Sequence, residues 1–306
     1  MAASGHPALV SKRPTPLQHS FQSPRQTPRH PSSKETVCRS HCSRSEVLRS
    51  APAGLVAGCV AADLLLNAQP AEASLVLLPT NELNNTYFLV RAGETEAERD
   101  GYVDSNPVNK TSMSNGLSEE GKRQVTRQAY PVLRDLGVGA GASWFWPSTT
   151  QNSYQTAEIL AYLFGVGREK IVPEYSFLDM RGLGIFDGLP PSEAFAKIHE
   201  VDALDYLQRP PPTDTGTPNE SAEDVYIRAR QLLSVTEAQY YGATVVVISP
   251  DSENLSIMQA AVMGKSLREH ATLGFSPGEA RPLVLAKEAL KLFSGSIPCK
   301  RPPQCR

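Results

Sequence analysis

Thr244 to Ser249, T-V-V-V-I-S, is a β-branched run with no alternating polar residues. Such a run suits a central parallel strand buried on both faces, and a parallel neighbour requires a crossover, normally a helix. The chain supplies both. Thr86 to Val90, T-Y-F-L-V, reads as a second buried strand, and helical patterns separate the apolar runs along the rest of the sequence. These elements predict one α/β domain over about residues 80 to 295, a three-layer sandwich with a mainly parallel central sheet and helices on both faces. In open sheets of this kind, ligands bind where strand carboxyl ends meet loops. The first strand ends in such a loop, Arg91-Ala92-Gly93-Glu94-Thr95, with one guanidinium and one carboxylate.

The remaining elements follow in order. Glu96 to Asn115 is polar and reads as a long loop bordering the strand ends. Ser118 caps a helix with acids in its first turn, and Val125, Ala129, Val132, Leu133 and Leu136 form its apolar face. Ala142 to Trp146 is a short aromatic strand, and Ser148 to Ala157 leads into a helix through Leu163. Pro190 to Leu207 is an amphipathic helix forming a cap, with a Pro-rich connection from Pro210 to Pro218. Glu220 starts a helix to Tyr240 with Gly242 as its stop, Glu253 to Met263 is another, and a strand near Pro282 to Leu285 precedes a last helix, Lys287 to Phe293.

Several stretches resemble, in order, the signatures of the histidine phosphatase (phosphoglycerate mutase-like) superfamily. L-V-R-A-G-E-T at Leu89 to Thr95 is similar to L-V-R-H-G-E-T, and L-S-E-E-G-K-R-Q at Leu117 to Gln124 to L-T-x-x-G-x-x-Q. S-T-T-Q-N-S-Y-Q-T-A at Ser148 to Ala157 resembles S-P-L-x-R-A-x-Q-T-A. L-D-M-R-G-L-G-I-F-D-G at Leu178 to Gly188 resembles L-R-E-x-x-x-G-x-W-E-G. Glu220 to Arg228 follows G-E-S-x-x-D-x-x-x-R, and the strand ending at Ser249 meets Pro250-Asp251 where the family has S-H-G. The resemblance covers about residues 84 to 290.

The resemblance implies a phosphoryl-transfer pocket, and the chain departs from it at four positions. Ala92 stands where the family's histidine takes the phosphoryl group, and a methyl has no lone pair to do so. Asn152 replaces the arginine that grips phosphate. Met180 falls at the proton-donating glutamate, with Asp179 beside it, and Pro250 replaces the second histidine. Of five roles only Arg91 keeps its residue. The resemblance therefore implies a pseudoenzyme with no catalytic residues and a residual anion site at Arg91, Gly93 and Asn152. The alternative is a divergent phosphatase acting on a small phosphate ester, built on Arg91 with Asp179 or Asp251. Ser249, Asp251, Glu94 and Asp104 are the nearest substitutes for the nucleophile, but each is weak without a neighbouring base. His199 and His270 read as surface imidazoles with no role.

The first 73 residues have a different composition. Residues 1 to 50 are rich in Ser, Pro, Arg and Lys with only Glu35 and Glu46 as acids, the signature of an organelle transit peptide. Ala51 to Leu66 is an apolar run broken by Asp63, and Ala71-Glu72-Ala73 is an A-x-A cleavage site; the run is short for a membrane span. This two-part leader resembles those of thylakoid-lumen proteins and predicts import into a chloroplast, cleavage after Ala73, a domain over 74 to 295 and a tail over 296 to 306. Cleavage removes eight basic and four acidic residues, leaving 22 against 28, a balance that disfavours nucleic acid as a partner. Cys38, Cys42 and Cys59 leave with the leader, so the sequence predicts no metal cluster and, lacking a nucleotide fingerprint, no cofactor. Cys299 and Cys305 remain, either paired in an oxidising compartment or as free thiols. The expected partner is a protein or a small anion, with no membrane span after cleavage.

Overall fold

The computed structural model describes residues 75–139, 141 and 143–293. The leader and the C-terminal cysteines lie outside the described residues. Four strands form one sheet: β1 (Thr86–Arg91), β2 (Ser143–Pro147), β3 (Thr244–Ser249) and β4 (Ala280–Pro282), in the order β2-β3-β1-β4. β3 pairs in parallel with β1, Thr86 opposite Thr244 and Arg91 opposite Ser249, and with β2 on its other side. β4 runs antiparallel to β1 over three residues, earlier than the expected strand near Pro282 to Leu285.

Both faces of the sheet are covered, as the unalternating β3 run requires. Phe88, Val90, Ala92, Val246 and Ile248 pack on one face against Val125, Ala129, Leu133, Ala157 and Leu160. Those side chains come from the turn between α2 (Glu119–Gln124) and its continuation α3 (Tyr130–Asp135), from α3 itself, and from α4 (Gln151–Phe164). Tyr87, Leu89, Val245 and Val247 pack on the other face against Leu232 and Leu233 of α6 (Ala222–Gln239) and Leu255 and Met258 of α7 (Glu253–Met263). Burying one such aliphatic side chain contributes about 1.5–3 kcal/mol, so the core is held mainly by these two layers. The result is a mostly parallel mixed sheet flanked by helices. Among the described residues no helix is long and apolar enough to cross a membrane.

The local chemistry explains most element boundaries. The Ser118 and Ser221 side chains accept from the backbone amides of Gly121 and Asp224, and Asp224 completes a capping box at the start of α6. α4 ends at Gly165 in the left-handed region. α6 instead ends in extended backbone at Tyr240, so Gly242 is a turn residue beyond the helix. The expected loop after β1 contains a short helix, α1 (Glu96–Arg99), closed by a capping box between Thr95 and Glu98. A π-helical turn at Val125–Ala129 joins α2 to α3. It changes the side-chain phase, so Leu133 is buried while Val132 and Leu136 are exposed. The cap helix α5 (Pro191–Leu204) packs Ala194 and Ile198 with Val103 and Leu183.

Candidate functional site

Ala92, Asn152 and Pro250 meet where the resemblance puts the phosphoryl pocket, at the carboxyl ends of β1 and β3. Ala92 is buried, and its backbone amide donates to the Ser249 carbonyl at 2.8 Å, continuing the β1–β3 ladder. Asn152 is buried in the first turn of α4, and its amide donates to the Pro250 carbonyl at 3.2 Å. Its oxygen accepts from the Ser153 amide at 2.8 Å. The residues at the arginine and second-histidine positions thus satisfy each other. Neither presents a positive charge.

The loop amides are occupied as well. Gly93 N–H donates to Thr156 Oγ1 at 3.4 Å, Glu94 N–H to Gln124 Oε1 at 2.9 Å, and Thr95 N–H to Glu98 Oε2 at 3.0 Å. Gly93 has a packing role: a Cβ there would lie 2.4 Å from the Gly121 carbonyl oxygen, and one on Gly121 would lie 2.2 Å from that of Glu94. Backbone meets backbone at this crossing, which only glycine allows. Glu94 accepts from the Ser118 hydroxyl at 2.8 Å.

Arg91 is drawn away from the strand-end pocket. Its Nη2 bonds Glu98 Oε1 at 2.8 Å and its Nη1 bonds the Phe275 carbonyl at 2.8 Å, while its buried Nε has no partner. The ion pair is with Glu98 on α1. An arginine with one carboxylate partner is already neutralised, so it has no net charge left to offer an anion.

The acids named from sequence have separate partners. Asp179 pairs with Lys110, both carboxylate oxygens 3.1 Å from Nζ; burial raises its pKa and Lys110 opposes the rise. Asp251 is buried, accepting from Arg181 N–H at 2.8 Å, the Ser249 hydroxyl at 3.1 Å and Asn254 N–H at 3.1 Å. Burial pushes its carboxyl up. Asp104 accepts from Asn109, at 3.1 Å. Met180 joins the cap cluster around Val103 and Leu183. A crevice bounded by Lys110, Asn115, Thr150, Asp179 and Met180 holds about 10 Å³, the space of a single water, not a phosphate. A larger hollow of about 530 Å³ lies away from the strand ends, between Tyr162, Ile159, Val166 and Thr126.

The two histidines are not surface imidazoles. His270 is fully buried, with Nε2 2.9 Å from Asp202 Oδ2 and Nδ1 3.0 Å from Ser256 Oγ. His199 Nε2 lies 2.9 Å from Glu253 Oε1, and the two rings stand edge to face, 5.4 Å apart. Arg181, also fully buried, binds both oxygens of Asp202 at 2.6 and 2.8 Å, Glu253 Oε2 at 3.1 Å and the Glu220 carbonyl at 3.1 Å. Donor atoms of His199, Glu253 and His270 lie within 4.8 Å of one another, a spacing seen at metal sites. Here the guanidinium of Arg181 holds the place of a cation between the carboxylates, and the arrangement reads as an ionic network. Sequence reasoning missed it, although one signal was present: Asp202 continues the apolar Ala194–Ile198 stripe of α5, an acid at a core position.

The model of the histidine phosphatase superfamily (branch 1) matches residues 87–289. Among solved structures, a mycobacterial glucosyl-3-phosphoglycerate phosphatase is 20% identical with a TM-score of 0.48, covering 64% of this chain and 90% of its own. A phosphoserine phosphatase from Entamoeba histolytica is 14% identical with a TM-score of 0.48, covering 65% of this chain and 89% of its own. No curated protein matches the chain.

Proposed function

The chain belongs to the histidine phosphatase superfamily, and from that membership we propose that it is a non-catalytic member, a pseudoenzyme that keeps the fold for a binding or assembly role. The observation that carries this reading is the Asn152–Pro250 hydrogen bond. Where the resemblance expects an arginine and a histidine, two neutral residues close on each other. Beside them Ala92 is part of the hydrophobic core. A nucleophile, a cationic clamp and a proton donor act as a unit, and losing members of such a unit leaves little catalysis. Arg91, Asp179 and Asp251 have the separate partners Glu98, Lys110 and Arg181, which gives a divergent hydrolase no convergent set of groups.

The ligand in this reading is a protein or a weakly held small anion near Arg91, and the setting is the thylakoid lumen, supported by the basic leader, the apolar run and the Ala71-Glu72-Ala73 site. A phosphatase and mutase screen on the chain beginning at Ser74 tests the first part, with background rates expected. Mass spectrometry of the N-terminus of the protein purified from its source tests the second. A start after Ala73 is expected, and a start near Met1 would overturn the leader reading.

A further inference from the structure

The sequence contains two histidines after residue 73, His199 and His270, and both enter one buried network. That network joins four parts of the chain. His199 and Asp202 belong to the cap helix α5, Glu253 opens α7, His270 lies in the 3-10 segment Leu267–Leu273, and Arg181 lies in the loop before the cap. Asp202, Glu253, His270 and Arg181 are essentially inaccessible, and the His199 side chain is 31% exposed.

The charges inside do not balance without a proton. Arg181 supplies one positive charge against the carboxylates of Asp202 and Glu253, so neutral imidazoles leave a buried excess of one negative charge. An uncompensated buried charge is strongly unfavourable. One proton shared by the imidazole pair cancels it, whereas two would place like charges on rings 5.4 Å apart. His270 Nε2 lies 2.9 Å from Asp202, and its Nδ1 lies 3.0 Å from the Ser256 hydroxyl, which is also 3.2 Å from the Glu253 carbonyl. The exchangeable proton is assigned to His199, because its Nε2 lies 2.9 Å from Glu253 Oε1 and its side chain is partly open to solvent, whereas His270 is fully buried.

We propose that His199 is a proton-operated latch: in its imidazolium form it fastens the cap helix α5 to Glu253 on the core, and on deprotonation it loosens the cap. The groups facing it are Glu253, Asp202, Arg181 and His270, with Phe195 stacked alongside; Asp251 is linked through Arg181 N–H. Burial works to lower the His199 pKa, but the hydrogen bond to Glu253 and the charges of Glu253 and Asp202 outweigh it, and the net direction is upward. A folded-state pKa above the unfolded value contributes stability that is full below the ordinary imidazole range and is lost as pH rises through the folded value. Burial works to raise Glu253, but His199, His270 and Arg181 hold it down to about 2. Its carboxylate is therefore present throughout the window in which the latch operates. The change reaches the strand ends through Arg181, which follows Met180 and donates its backbone N–H to Asp251, beside Pro250. The latch does not depend on whether that pocket turns over a substrate.

Hydrogen exchange on the full chain, corrected for the intrinsic pH dependence of the rates, compares about pH 6 with about pH 8.5, either side of the ordinary imidazole pKa. Protection over Pro191–Leu204 and Leu267–Leu273 should fall severalfold at the higher pH, while Gln151–Phe164 of α4 stays unchanged. In His199→Gln the difference should vanish. A direct NMR titration of the imidazole protons stands independently of any variant and should show His199 titrating above its ordinary value. Equal cap protection at both pH values, the same pH response in His199→Gln, or titration of His199 at or below the ordinary value would each overturn the proposal.

Discussion

The strand-end pocket and the cap network lie only a few residues apart, at Pro250 and at Glu253, and differ in how each is kept free of unpaired charge. In the pocket the expected ionisable side chains are absent: Ala92 packs into the core and Asn152 bonds Pro250. The network concentrates charge, with Arg181, Asp202, Glu253 and two imidazoles satisfied by one another. A binding pocket for a phosphate dianion needs charge that is unpaired until its ligand arrives, whereas a structural network needs the reverse. Charge in this domain is committed to holding the cap. Arg91, the one residue retained of the five pocket roles, follows the same rule by pairing with Glu98.

The largest expected effect is in the network. Arg181→Met removes the cation between two buried carboxylates, and breaking a buried ionic cluster from one side costs about 3–5 kcal/mol. Urea unfolding should show that loss; a variant as stable as the parent would mean the carboxylates are not charged in the fold. Gly93→Ala comes next. Its Cβ meets the Gly121 carbonyl at 2.4 Å, backbone against backbone, so the cost belongs at the upper end of the ~1–3 kcal/mol for overpacking. A neutral result would show that the loop has freedom to hold an anion after all.

Ala92→His sharpens the comparison from the pocket side. It should destabilise by about 1–2 kcal/mol through overpacking, with no gain in phosphatase activity, because Asn152 and Pro250 still supply no clamp. Turnover in that variant would show that the fold retains the remaining machinery. Phosphate itself should have the smallest effect. With binding at about 1 mM or weaker, phosphate at that concentration stabilises by at most about 0.4 kcal/mol, roughly a degree in Tm. A shift of many degrees would mean that Arg91 is released from Glu98 to a real anion site.

The fold was legible where single residues determine local structure. The β-branched T-V-V-V-I-S run is the buried centre of the sheet, and the Ser118 and Ser221 caps start their helices where the sequence put them. β4 was displaced because three residues pairing antiparallel with β1 leave almost no periodic signal. The four substituted positions could be read by alignment to motifs, but the Asn152–Pro250 bond spans two elements far apart in the chain. The network was hidden for the same reason. Arg181 sits in what reads as a glycine-rich loop, and its role emerges only when α5 and α7 fold against it. Only Asp202, an acid on an apolar stripe, betrayed the buried charge in advance.

The most direct test is incubation of the wild-type chain from Ser74 with phosphate esters, measuring both released phosphate and covalent phosphate on the protein. Background release and no phosphoryl-enzyme are predicted, since neither Ala92 nor Pro250 carries a nucleophilic nitrogen in its side chain. Hydrolysis well above background, or stable labelling at any residue, would contradict the pseudoenzyme account and put a divergent phosphatase in its place.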